Sequence, residues 1–151
     1  MSDEQQTVET AISHEHGRRF EPTSGEVIAA ALAVHCELGP GFLEAIYHNA
    51  MCVALSHRTI PFETQKPIPV FFEGSEVGLQ KLDLVVKEEI VVELKAVKAL
   101  EEIHKAQLRS YLRASNLKVG LLLNFNAPYH QAHCQLTRLL PLSCFRLFVF
   151  S

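Results

Sequence analysis

Three residues in the middle of the chain carry side chains suited to chemistry: Asp83, Glu93 and Lys95, set in Lys81-Leu-Asp83-Leu-Val-Val and Ile90-Val-Val-Glu93-Leu-Lys95. Strand side chains alternate, so Glu93 and Lys95 leave the same face. Lys87-Glu88-Glu89 reads as a turn, and the resulting hairpin brings Asp83 beside them. Two carboxylates converging among valines and isoleucines suit a hard divalent cation, since magnesium takes one or two carboxylates and keeps several waters. A lysine next to that cation can orient or help deprotonate an attacking water, or steady a phosphate oxygen. The competing reading makes Glu93 and Lys95 the solvent face of an edge strand. An Asp…Glu-x-Lys spacing is too common to decide between the two alone.

Two further features bear on the choice. His104, Gln107 and Tyr111 follow at spacings of three and four, which places them on one helical face, either a substrate wall or a solvated stripe. In Gly41-Phe-Leu-Glu44-Ala-Ile-Tyr47, Glu44 falls in the first turn of a helix. There it is either a charge suited to the helix dipole or a third acid aimed at the same site.

The elements that position these residues can be read from periodicity. A helix is expected from Thr23-Ser24, where Glu26 completes a capping-box spacing, with Val27, Ile28, Ala31, Leu32 and Val34 as its apolar face. It should stop at Gly39-Pro40-Gly41. A second helix is expected from Leu43 to about His57, with Ile46, Tyr47, Ala50, Met51, Ala54 and Leu55 inward. Strands are expected at Pro67–Phe72, Lys81–Val86 and Ile90–Leu94, a helix at Leu100–Ala114 and a buried strand at Val119–Phe125. Meander strands followed by a crossover helix and another strand imply an α/β fold, a mixed sheet flanked by helices. Residues 1–21 lack apolar periodicity and read as a mobile polar tail, with residues 22–151 as a single domain.

Composition narrows the function classes. The 151 residues are 48% hydrophobic and 21% charged, which fits a globular domain and excludes a disordered or collagen-like chain. No apolar run approaches the ~20 residues that span a bilayer, so no membrane role is expected. The N-terminal residues show no signal-peptide pattern, and a cytoplasmic location is expected. Net charge is −3, and residues 1–21 supply all of it, with five acids against two bases. A neutral body does not grip nucleic acid by bulk positive charge, but it can meet phosphate through a bound metal. Cys36, Cys52, Cys134 and Cys144 form no Cys-x-x-Cys pair and are expected as free buried thiols. His130, His133 and Cys134 lack a fourth nearby ligand, so a surface loop is the favoured reading over a zinc site.

Taken together, the motifs have a familiar order. Leu38-Gly39-Pro40-Gly41-Phe-Leu-Glu44-Ala-Ile-Tyr47, then Leu82-Asp83-Leu-Val-Val, Val92-Glu93-Leu-Lys95-Ala, Gln107-Leu-Arg-Ser-Tyr111-Leu and Gly120-Leu-Leu-Leu-Asn124-Phe125 resemble the GxxExxY family, which is similar to the PD-(D/E)XK nuclease superfamily. The resemblance covers about residues 24–126. It implies a restriction-endonuclease-like core with Asp83 and Glu93 as metal ligands, joined by Glu44 from the early helix, and Lys95 as the catalytic lysine. Gln107 and Tyr111 match the Gln-x-x-x-Tyr pattern that lines the site in the exonuclease branch. One departure is Lys81, where an arginine is usual, which keeps the charge and loses the bidentate fork.

The expected function is therefore a Mg²⁺- or Mn²⁺-dependent nuclease, with DNA as the expected polymer. Asp83, Glu93 and Glu44 would hold metal, Lys95 would position water, and Gln107 and Tyr111 would bind substrate. The alternative is a catalytically silent binding or assembly module that retains the fold. The apolar C-terminal segment, Leu139-Leu-Pro-Leu and Phe145-Arg-Leu-Phe-Val-Phe150, reads as a last strand or as a contact for a protein partner or a second copy.

Overall fold

The structure is a computed structural model. It describes residues 22–126 and the backbone of Arg146–Phe150. The polar tail at 1–21 and the His130, His133, Cys134 and Cys144 positions lie outside the described residues.

Two helices come first, α1 (Pro22–Leu38) and α2 (Glu44–His57). The strands β1 (Phe62–Phe72), β2 (Ser75–Val86) and β3 (Ile90–Lys95) follow, then α3 (Glu102–Ser115), β4 (Val119–Asn124) and β5 (Arg146–Phe150). The sheet runs in the order β1-β2-β3-β4-β5. β1, β2 and β3 are antiparallel neighbours, and β3, β4 and β5 are parallel. The helix α3 is the crossover that joins parallel β3 and β4, as a parallel pair requires.

This mixed sheet is covered on both faces, which explains the unbroken apolar runs of β3 and β4. On one face Ile90, Val92 and Leu94 of β3 pack with Val27, Val34, Tyr47, Met51 and Leu55 from α1 and α2. On the other, Val91 packs with Leu108, Tyr111 and Leu112 of α3. Each fully buried aliphatic side chain contributes about 1.5–3 kcal/mol, so both layers are needed. Gly120 sits under α3, where an added Cβ would come within 3.0 Å of Leu108. The glycine is what lets the helix lie this close to the sheet.

Two sequence expectations change in detail. Thr23 lies inside α1 and its hydroxyl donates to Glu89 at 2.9 Å, while Glu26 pairs with Lys87; both residues tie the helix to the β2–β3 turn instead of forming a capping box. β1 and β2 extend five and six residues further toward their N-termini than expected, because Glu63–Gln65 and Ser75–Leu79 are exposed on both sides and carry no alternating pattern. Arg146–Phe150 is spent as the last strand, β5, against β4. Among the described residues, Cys36 and Cys52 form no disulfide, but Cys36 is exposed and Cys52 only half-buried, so neither is the buried thiol expected; no helix is long and apolar enough to cross a membrane.

Candidate active site

β3 is the third of five strands, buried along its length until Lys95. The edge-strand reading of Glu93 and Lys95 is thereby removed. Glu93 is 2% exposed. Its Oε1 accepts from Lys95 Nζ at 2.7 Å, and its Oε2 is buried with no hydrogen-bond partner.

The β2–β3 ladder ends at Leu84↔Val92, one residue short of placing Asp83 opposite Glu93. The Asp83 side chain takes over: Oδ2 accepts from the Leu94 N–H at 3.0 Å. Alternation in β2 also breaks here, since Leu84 and Val86 join the α1/α2 cluster but Leu82 and Val85 join the α3 cluster. On the far side the β1 pairing skips Gln65, which sits in the left-handed region at φ 51° and donates weakly to Asp83 Oδ1 at 3.5 Å. Irregular pairing of this kind re-aims a side chain at a functional position.

Electrostatics couple the group. Burial pushes the Glu93 carboxyl up to about 7, with the charges of Asp83 and Glu44 adding to the effect and Lys95 opposing it. Burial pulls the Lys95 ammonium down, yet the bond to Glu93 and the charges of Glu93, Glu44 and Asp83 leave it above its ordinary value. Lys95 is therefore a cation at neutral pH, a donor and not a base. Glu44, carried by α2 in the opposite layer, acts on both residues through its charge. On α3, Gln107 Nε2 donates to Tyr111 Oη at 2.6 Å. Burial raises the Tyr111 phenol, the Gln107 bond opposes this, and Glu93, Lys95 and Asp83 all act on it. The five residues expected around Asp83 thus share one electrostatic neighbourhood at the carboxyl end of β3.

His104 does not extend that wall. Its Nδ1 accepts from the Glu101 N–H at 2.9 Å as part of a capping box at the start of α3. Three other residues shape the site and were not singled out from sequence. His48 Nε2 lies 3.3 Å from the Asp83 carbonyl and 2.8 Å from Thr64 Oγ1, and so links α2 to β2 and β1. Its place four residues after Glu44 on α2 was the available signal. Asn124, paired with Lys95 across the β3–β4 ladder, accepts from Val97 N–H at 3.1 Å and donates to Val97 O at 2.8 Å, which pins the segment leaving β3. Gln65 had no signal, since its role depends on a backbone twist.

Tyr47 explains the glycines before α2. Its hydroxyl donates to Gly39 O at 2.6 Å and accepts from Phe42 N–H at 3.1 Å. Its ring stacks on Phe125 with centroids 4.8 Å apart. Gly39 and Gly41 adopt φ 66° and 110°, where a side chain is strained. The turn they make delivers Glu44 to the first turn of α2.

The donor set fits a hard cation. Glu93 Oε2 is a buried, unpartnered carboxylate oxygen, and Asp83 Oδ1 has only the long Gln65 contact. Among the described residues no group of three His, Cys, Asp or Glu side chains is placed to hold a metal ion, and Glu44 acts on the Asp83–Glu93 pair through its charge. Two carboxylates suffice for magnesium when water fills the remaining positions.

A mixed sheet with helices on both faces and acids where β2 and β3 part is consistent with a restriction-endonuclease-like core. The chain belongs to the PD-(D/E)XK nuclease superfamily, whose family model matches residues 21–138. No curated protein and no solved structure matches it.

Proposed function

We propose that the protein is a divalent-metal-dependent phosphodiesterase acting on nucleic acid, with DNA the favoured polymer and Mg²⁺ or Mn²⁺ the cation. The observation that carries this is the buried, unpartnered Glu93 Oε2 beside Asp83. A lone carboxylate oxygen removed from water costs several kcal/mol unless a proton or cation meets it.

In this reading Asp83 and Glu93 hold the metal, and Glu44 adds negative charge or a water-mediated contact. A divalent cation held there would acidify a water and offset charge that develops on the phosphate. Lys95 stays protonated, keeps Glu93 in place through Oε1, and offers its remaining protons to the water or to a phosphate oxygen. Gln107 fixes the Tyr111 hydroxyl as an acceptor, which leaves the phenol proton free to be donated to substrate. Asn124 and His48 hold the two strand segments that bear Lys95 and Asp83.

The test is a cleavage assay over single- and double-stranded DNA and RNA with Mg²⁺, Mn²⁺ or EDTA. Metal-dependent cleavage that Asp83→Asn abolishes is expected. Cleavage in EDTA, or equal cleavage by wild type and Asp83→Asn, would contradict the assignment. Absence of cleavage by the wild type across the panel would favour a silent module that keeps the fold.

A further inference from the structure

Phe42, Leu43 and Ile46 are 44%, 76% and 41% exposed, although helix periodicity assigns Ile46 to the core. They flank Glu44 on both sides. The cluster is held rigidly. The Phe42 N–H is bonded to Tyr47 Oη, and the Phe42 ring meets Tyr47 edge-on with centroids 6.1 Å apart. Ile46 N–H donates to Leu43 O at 2.9 Å. A rigid apolar surface loses little conformational freedom when it is covered, so it suits binding.

Charge narrows what covers it. From Pro22 to His57 the chain carries no Lys or Arg, so the α1, turn and α2 side of the site offers no cationic side chain. Across the site from it Lys95 of β3 supplies the cation, while Lys105 and Arg109 of α3 are paired with Glu102. A duplex presents phosphates outward on both strands and hides its base faces, so it has nothing to set against an apolar, cation-free wall beside Glu44. A single strand has two unlike sides, phosphates on one and unpaired base faces on the other, which match a site with one cation-bearing and one apolar side.

We propose that Phe42, Leu43 and Ile46 form a base-stacking platform that makes single-stranded nucleic acid the ligand of this site. The inference rests on reading Asp83, Glu93 and Lys95 as a phosphodiesterase site, and it deepens that reading by naming the substrate form.

The test is equilibrium binding by fluorescence anisotropy, using the full chain in Ca²⁺ with a labelled single-stranded oligonucleotide and its blunt duplex. Wild type should bind the single strand more tightly by roughly tenfold or more. The double variant Leu43→Ser, Ile46→Ser removes apolar surface without touching the Tyr47 bonds. It should lose about fivefold or more in single-strand affinity, the lower end of the scale of one base stacked on an aromatic side chain, with duplex binding unchanged. Leu43→Met keeps the apolar surface and should bind as wild type, and a melting temperature no lower than that of wild type for each variant separates loss of contact from loss of fold, since Leu43→Ser puts a serine at the N-cap of α2, where it can only support that helix. Equal wild-type affinity for the two forms, single-strand binding that survives the double variant, or no single-strand binding would overturn the platform. The expected binding pattern without cleavage would support the platform and count against hydrolysis alone.

Discussion

Glu93 is the residue on which charge, burial and chemistry meet. The unfolded chain ionises this carboxyl near 4.5, whereas the folded chain keeps its proton to about 7, through burial first and the charges of Asp83 and Glu44 second. Between those values the folded state binds more protons than the unfolded one. Metal-free stability must therefore fall as pH rises through that window, by about 3 kcal/mol at the order of magnitude set by ~1.4 kcal/mol per pKa unit. Thermal melts in EDTA should show this fall in wild type and a flatter profile in Glu93→Gln. Metal binding carries the opposite sign, since a cation must displace the proton from Glu93. Mn²⁺ affinity measured by calorimetry should rise with pH up to about 7 and level off above it. An affinity that is flat across that range would mean that Glu93 is not a ligand.

At the scale of elements, the site depends on how strands and turns are held and not only on which acids are present. Tyr47 is fully buried and its hydroxyl closes the Gly39–Phe42 turn. Tyr47→Phe keeps the stack on Phe125 and removes both bonds. It should cost about 1–2 kcal/mol in urea unfolding and lower turnover, because Glu44 and the Phe42 platform lose their anchor; unaltered stability would show that the turn is held by its glycines alone. The sequence made much of this legible. Type and order of the helices and of β3 and β4 follow from apolar periodicity, because those elements bury whole faces. The extra length of β1 and β2 was hidden, because Glu63–Gln65 at one end of the hairpin and Ser75–Leu79 at the other are exposed on both sides and select no pattern. Asp83, Glu93 and Lys95 stood out because charge interrupts an apolar strand. The roles of His48, Gln65 and His104 did not, since each is set by a contact across the fold or by a cap and not by spacing.

For the whole molecule, the charge pattern sets how it meets a polyanion. Residues 22–151 hold as many acids as bases, and the acids crowd the site. Few phosphates can be neutralised by side chains, so few counterions are released on binding. Raising salt from about 50 to 200 mM should weaken single-strand binding by roughly tenfold or less, against the ~10³–10⁵ of a protein with many phosphate contacts. A steep salt dependence would contradict this reading of the charge pattern. The central claim, that a metal held by Asp83 and Glu93 works with a protonated Lys95, meets its most direct test in Lys95→Ala. Removing a cation from beside a cation site relieves repulsion and leaves Glu93 more in need of a metal. Mn²⁺ affinity by calorimetry should therefore hold or rise, while cleavage of a single-stranded oligonucleotide falls by about 10²–10⁴, the scale of one positioned charge or proton donor. Wild-type cleavage by Lys95→Ala, or loss of metal binding together with activity, would contradict the account.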